Sequence, residues 1–318
     1  MKNQKHALAL YALAAVAFLV VGIFYFRENQ KIIDIHESVE NFDQIDKLDK
    51  VMFWTGIDKM ILAAIPDEML HYTGGPIATY TKVDENEDAL KEAVELDSSR
   101  FAYFCTVDPN DFNALEKVET CMKEGALGVK IYDGYKNYHV LALDNQTMLK
   151  IFAKISENNG ILLMPVSTSN FRREFENMLG LNPTLPVICS HYCLSSKNLA
   201  VLTDLMSAYT NLYIDTSFGH IDYAREGFDT ISGNTEEFRK FFNDFQDRIF
   251  FATDNVVTGF ESKDRDWLIA LYRDYISILT ESEFDSRSNP GAKYMGLKLS
   301  KAVLAKVFSE NWNKLTAQ

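Results

Sequence analysis

From residue 31 onward the chain alternates between two hydrophobic patterns. Short runs rich in β-branched and aromatic residues read as buried strands near 31–36, 59–65, 101–106, 126–132, 160–166, 185–190, 211–215 and 249–253. Between them, apolar residues recur every three or four positions, which predicts helices near 39–54, 86–97, 111–124, 144–158, 171–180, 195–209, 234–246 and 262–280, with a last one near 300–315. A strand followed by a helix, eight times over, predicts a parallel (β/α)8 TIM barrel, a fold of about 250 residues. Asp108-Pro109-Asn110-Asp111 supplies a turn and a helix cap, Ser195-Ser196 opens the sixth helix, and Gly125, Gly160 and Gly180 mark helix ends. No repeat or internal linker interrupts residues 31–318, so they are expected to form one domain.

Residues 7–26 break this pattern. They are twenty consecutive uncharged residues, the length that crosses a ~30 Å hydrocarbon layer as a helix. A cleaved signal peptide has a shorter apolar core and ends in small residues, whereas this run ends in Gly22-Ile23-Phe24-Tyr25-Phe26-Arg27. Residues 1–30 are therefore expected to be a single-pass membrane anchor, with the amino terminus in the cytoplasm and the barrel on the extracytoplasmic side. The net charge of -13, with scattered basic residues, argues against nucleic acid as the main partner. The four cysteines, Cys105, Cys121, Cys189 and Cys193, contain no Cys-x-x-Cys pair and read as small core residues.

Active sites of such barrels lie at the C-terminal ends of the strands. Those ends carry His36, Lys130, Asp133, His191, Asp215 and Asp254. Strand alternation sharpens the set. In Ala126–Tyr132 the apolar positions 127, 129 and 131 suit the helix-covered exterior and turn Lys130 inward; in Ile249–Asp254 the same argument turns Asp254 inward. A buried ammonium needs a counter-charge, which Asp254 can provide.

The order of these pieces resembles the amidohydrolase superfamily. Ile32-Ile33-Asp34-Ile35-His36 is similar to that family's first strand, Glu124–Lys130 to its fourth, Leu185–His191 to its sixth, Tyr209–Ser217 to its seventh and Asp247–Asp254 to its eighth. The resemblance implies that His36 and Asp254 are metal ligands and that His191 is a ligand or orients the attacking water or substrate, with His191, Asp254 and Lys130 the candidate catalytic residues. Beside these, Tyr132 after the fourth strand and Arg172 after the fifth are positioned near the rim as candidate substrate-binding residues. The resemblance also implies two departures. Ser38 stands where the family has the second histidine of its first strand, and the fifth-strand histidine falls at or beside Val166.

The implied activity is metal-dependent hydrolysis of a small carbonyl compound (an amide, ester or lactone, or a decarboxylation) by a metal-activated water. With two neutral ligands gone, the implied divalent metal, zinc, is expected to be weakly bound or absent. The alternative is a degenerate barrel that binds a ligand or a protein without metal chemistry, in which a Lys130–Asp254 ion pair fills the place of the metal.

Overall fold

The computed structural model describes residues 31–67, 80, 82–135 and 139–317; the apolar run 7–26 and Tyr138 lie outside them. Eight strands pair in sequence order and every pair is parallel. They are β1 (Ile33–Val39), β2 (Lys59–Ala64), β3 (Phe101–Thr106), β4 (Gly128–Lys130), β5 (Ile161–Pro165), β6 (Val187–Cys189), β7 (Leu212–Asp215) and β8 (Ile249–Phe250). The residues after β8 close the seam: Ile35 N donates to Phe251 O (3.1 Å), Asp254 N to His36 O (2.8 Å) and Val257 N to Ser38 O (2.7 Å). The expected barrel is thus present, with β4 to β8 shorter than their apolar runs.

The helices of the outer layer are α1 (Ile45–Thr55), α2 (Val83–Leu96), α3 (Ala114–Lys123), α4 (Gln146–Glu157), α5 (Thr168–Leu181), α6 (Leu199–Ala208), α7 (Ile221–Gly233), α8 (Thr235–Asp244), α9 (Arg265–Thr280), α10 (Lys301–Ala305) and α11 (Asn311–Thr316). The last two are joined through a π-helical turn, Lys306–Glu310. Local chemistry sets several ends: Asn145 Oδ1 accepts from Met148 N (2.9 Å) at the start of α4, and Asp264 Oδ1 accepts from Trp267 N (2.8 Å) at the start of α9. Of the three glycines expected to end helices, Gly125 has a left-handed backbone; before Gly160 that role falls to Asn159, and Gly180 lies within α5.

Two elements were not legible in the hydrophobic pattern. Helix α7 is one, and its middle holds Gly227, where a Cβ would lie 2.3 Å from the ring of Phe218. The glycine lets that ring lie on the helix, and its low helix propensity hides the helix in the sequence. The other is a small antiparallel hairpin, β9 (Glu283–Asp285) with β10 (Lys293–Met295), outside the barrel wall. Buried Asp274 on α9 secures it by accepting from Ser286 Oγ (2.7 Å), Arg287 N (3.0 Å) and Ser288 N (2.9 Å). Among the described residues no helix is long and apolar enough to cross a membrane.

The strand faces sort into two cores. Outward residues such as Leu62, Val129, Leu162 and Phe251 join the large core under the helices. Inward residues such as Ile33, Ile61, Phe104, Leu163 and Phe250 fill the barrel, joined by Trp312 and Leu315 of α11. Leu127, expected outside, packs against this inner cluster at the start of β4. Trp312 meets Phe104 and Phe250 edge to face, with ring centroids 6.1 and 5.9 Å apart, and plugs the N-terminal end of the barrel. The interior therefore runs from an aromatic floor to a polar mouth.

The cysteines correct the sequence reading. They are buried as expected, yet all four are paired, Cys105 with Cys121 between β3 and α3, and Cys189 with Cys193 across the end of β6. A spacing of four residues is compatible with a bridge when the backbone between them turns sharply, and sequence spacing alone carries no such information.

Because Trp312 fills space shared by two inner aromatic side chains, Trp312→Ala is expected to lower stability by about 3–5 kcal/mol. Urea unfolding monitored by circular dichroism checks this, and a loss below ~1 kcal/mol would show that the floor of the barrel does not depend on α11.

Candidate active site at the strand ends

The mouth of the barrel is organised by one bulge and two stretches of left-handed backbone. In the β1–β2 register Asp34 pairs with Met60 and Glu37 with Leu62, so Ile35 and His36 together oppose Ile61. The extra residue resets the alternation. Ile35 stays in the inner core, His36 and Ser38 both reach the cavity, and Asp34 and Glu37 turn outward. Beyond β6, His191, Tyr192, Cys193 and Leu194 adopt φ of 58°, 54°, 51° and 49°, and Asp254 beyond β8 has φ 46°. Left-handed conformation costs a non-glycine residue about 1–2 kcal/mol. The turn at 191–194 is held by the Cys189–Cys193 bridge, by Leu194 N donating to His191 O (2.8 Å), and by Ser195 N donating to Tyr192 O (2.9 Å). Strain retained in this way is a mark of functional sites.

Asp215, at the end of β7, orders the polar groups. Its Oδ2 accepts from His36 Nδ1 (2.8 Å), and its Oδ1 accepts from His191 N (2.9 Å), Ser217 N (3.1 Å) and Ser217 Oγ (2.6 Å). Burial pushes this carboxyl up, but the bond from His36, the electrostatic pull of the His36 and His191 rings and the bond from Ser217 outweigh it and hold Asp215 below the usual carboxylate range. An ionised Asp215 sets both ring tautomers. His36 keeps its proton on Nδ1. Ser217 gives its proton to Asp215, so its Oγ accepts from His191 Nδ1 (2.8 Å). Each ring then presents a bare Nε2 to the cavity.

Between those nitrogens lies Lys130. Its Nζ donates to His36 Nε2 (2.8 Å) and to Ser38 Oγ (3.0 Å), stands 3.9 Å from Asp254 Oδ1 and lies 4.5 Å from the centre of the Tyr132 ring. Ser38 Oγ in turn donates to Asp254 Oδ1 (2.7 Å). Asp254 is also 3.5 Å from His36 Nε2 through Oδ1 and 3.5 Å from His191 Nε2 through Oδ2. All of these side chains are buried, Lys130 to 1 % exposure. Burial raises Asp254, yet His36, Lys130, His191 and the Ser38 hydroxyl reverse this and leave it far below the usual range. Burial lowers the Lys130 ammonium against the pull of Asp254, Asp215 and Glu37, and burial also lowers the His191 imidazole.

Behind the cavity Asp34 and Glu37 share Thr253 Oγ1 (2.7 and 3.1 Å), and Tyr272 donates to Glu37. Burial and the charge of Asp254 push Glu37 up to about 7; burial and Glu37 push Asp34 up as well.

The structure thus brings together His36, Lys130, His191 and Asp254, as the sequence led us to expect, with Tyr132 against Lys130. It adds Ser217 and Glu37. Ser217 had a weak signal, standing two residues after Asp215, whereas Glu37 had none, because the bulge that re-aims it is invisible in the pattern. Arg172 is a correction. It lies on α5 with Nε donating to Glu176 Oε1 (2.7 Å) and Nη2 3.9 Å from Asp204, a half-buried ion pair one helical turn long on the outside of the barrel. Val166 itself packs in the outer core. Leu163 faces in, so alternation gives the inward position at the end of β5 to Pro165, which has no ligand atom. Cys189 joins the outer core. Asp133 turns to its own loop, accepting from Val140 N (3.1 Å) and Leu141 N (3.4 Å).

The donor set does not fit a divalent cation. His36 Nε2 is engaged by an ammonium, Ser38 replaces a nitrogen donor, and the end of β5 offers none. Among the described residues one group of three ligand-type side chains lies close enough to share an ion, Glu87 with Cys105 and Cys121, and there the cysteines are bonded to each other. A metal at the strand ends would have to displace Lys130.

The amidohydrolase family profile matches residues 68–315, well over half of the chain, and the chain therefore belongs to that family. Solved structures with a similar fold include 2,6-dihydroxybenzoate decarboxylase from Rhizobium, with 16 % identity, 91 % of this chain and 99 % of that chain covered, and a TM-score of 0.52. A probable 2-pyrone-4,6-dicarboxylic acid hydrolase from Acinetobacter baumannii, with citric acid bound, has 11 % identity, 90 % and 99 % coverage and a TM-score of 0.59. A 5-carboxyvanillate decarboxylase from Novosphingobium aromaticivorans, solved with bound manganese, has 14 % identity, 91 % and 97 % coverage and a TM-score of 0.54. No curated protein sequence matches the chain.

Removing one member of a buried charge cluster leaves the other uncompensated, so Lys130→Ala is expected to cost about 3–5 kcal/mol, and Lys130→Ala/Asp254→Ala less than the sum of the two single changes. Additive losses in chemical denaturation would show that the two charges do not interact.

Acid should also reveal Asp254. A carboxylate whose folded pKa is depressed contributes stability that is complete above the unfolded-chain value of about 3.9 and is lost as pH falls toward the folded value. Wild type should therefore lose stability between about pH 5 and pH 2.5 more steeply than Asp254→Asn. Parallel slopes in urea titrations would contradict the assigned ionisation.

Proposed function

We propose that this member of the amidohydrolase family is an enzyme that hydrolyses a small carbonyl compound at the strand-end site, with the Lys130 ammonium serving as the cationic centre in place of a divalent metal. The observation that carries this reading is the seat of Lys130 Nζ, 2.8 Å from His36 Nε2 and 3.0 Å from Ser38 Oγ.

The roles follow from the tautomers. His191 is kept neutral by burial, and its free Nε2 faces the cavity beside Asp254 Oδ2. A water placed there gives a proton to Nε2 while its oxygen bonds to the substrate carbonyl carbon. The carbonyl electron pair moves to oxygen, where the charge of Lys130 stabilises it; a fixed charge in a dry site is worth far more than in water. When the bond to the leaving group breaks, that group takes the proton from His191 Nε2. Asp254 keeps Lys130 charged, and Asp215 with Ser217 holds the ring of His191. Gly219 borders the site with φ +74°, and a Cβ there would come within 3.6 Å of His191 Cε1 and 3.8 Å of Asp254 Oδ2. Its bare backbone leaves room for substrate.

A second reading is favoured by one observation: two of the Lys130 N–H groups already go to protein atoms and the third faces Asp254 and the Tyr132 ring. A centre so fully satisfied suits a barrel that binds a small ligand without turning it over.

The same reading includes the membrane. The uncharged run 7–26 supports a single-pass anchor. The Cys105–Cys121 and Cys189–Cys193 bridges support an extracytoplasmic barrel, because such bonds persist outside the reducing cytoplasm.

The test is turnover of a panel of small esters, lactones, amides and aromatic carboxylates by the full-length chain in detergent with chelator present. Activity should persist, fall about 10²–10⁴-fold in His191→Gln, and show an acid limb below the ordinary imidazole pKa of about 6.5. Activity that chelator abolishes and added zinc or manganese restores would overturn the metal-free mechanism; ligand binding without turnover would select the second reading.

A further inference from the structure

The face of the barrel opposite the site carries large apolar side chains where helices end. Helix α1 finishes with Phe53 and Trp54, whose rings meet edge to face at 5.3 Å, and Trp54 is 54 % exposed. Helix α2 finishes with Leu96, 70 % exposed, and α5 with Leu181, also exposed. Single exposed apolar residues are ordinary, and the opposite rim has its own in Phe112 and Tyr223.

What distinguishes the two faces is the tether. β1 enters at the α1 corner, where Ile32 N donates to Asp58 Oδ2 (2.9 Å) and Asp58 N donates to Ile32 O (2.8 Å), Asp58 lying just beyond the end of α1. The uncharged run ends at Phe26, six residues before Ile32, and six extended residues reach about 20 Å at most. The sixteen residues of α9 alone measure about 24 Å along the barrel wall. A bilayer holding residues 7–26 can meet the corner near Trp54; it cannot be led around to the rim near Phe112.

We propose that the N-terminal face of the barrel lies on the membrane surface, with Trp54 and its neighbour Phe53 seated among the lipid headgroups, so that the catalytic mouth opens away from the bilayer. Aromatic side chains favour that interfacial layer. The substrate then arrives from water and is a soluble molecule, not a lipid drawn from the membrane. This inference rests on the anchor within the proposed function and is independent of the chemistry assigned to Lys130.

The experiment uses the full-length chain reconstituted in vesicles of phosphatidylethanolamine and phosphatidylglycerol carrying a nitroxide near the headgroup. Tryptophan emission should be quenched by the nitroxide and shielded from iodide, and Trp54→Phe should remove that quenching, since Trp312 is buried in the barrel floor and Trp267 starts α9 at the opposite end. Emission from Trp54 that stays open to iodide and untouched by the nitroxide in vesicle-bound protein would overturn the orientation. A chain that fails to float with the vesicles would overturn the anchor and the orientation together, while the detergent assay of activity would stand unaffected.

Discussion

One lysine charge inside the mouth of a barrel dictates the arrangement around it. An ammonium with 1 % exposure persists only where hydrogen bonds and opposite charge replace its water. Lys130 obtains this from His36, Ser38 and Asp254, and each of those is fixed by something further out. His36 can accept from Lys130 because Asp215 takes its other ring proton, and Asp215 can remain ionised because it also receives the bonds of Ser217 and the His191 backbone. Replacing Lys130 therefore disturbs a chain of dependent protonation states, not a single contact.

The scaffold supplies this centre by departing from regular strand geometry at three places. The bulge in β1 delivers His36 while keeping Ile35 in the inner core, the bridged left-handed turn delivers His191, and left-handed backbone within the barrel seam delivers Asp254. An aromatic floor around Trp312 makes such departures tolerable, since the lower barrel is packed by side chains that need no polar partner. The apolar floor lies at one end of the strands and the ionisable groups at the other, the end where active sites of this architecture lie.

The strands and the inward aim of Lys130 and Asp254 were legible because alternation is a rigid consequence of strand geometry. Alternation no longer sets the facing of side chains where the backbone stops being a regular strand. Glu37 and Asp34 sit behind the cavity because of one inserted residue, His191 lies on a left-handed turn because β6 ends at Cys189, and Val166 faces the helices while Pro165 holds the inward position. Arg172 was misplaced because an arginine early in a helix after a strand has the same local sequence whether it faces the mouth or pairs with Glu176 on the surface. The pairing of the cysteines and the partners of Asp215 are long-range facts that no local pattern encodes.

In the proposed site the Lys130 ammonium occupies the position a metal cation would otherwise take, so the two must compete. Elemental analysis of the purified full-length protein after incubation with zinc or manganese and passage through a mild chelator tests this most directly, with Lys130→Met/Ser38→His treated alongside. Wild type should retain far less than stoichiometric metal, and the double variant, which removes the competing charge and restores a nitrogen donor, should retain markedly more. Stoichiometric metal held by wild type through chelation would contradict the central claim.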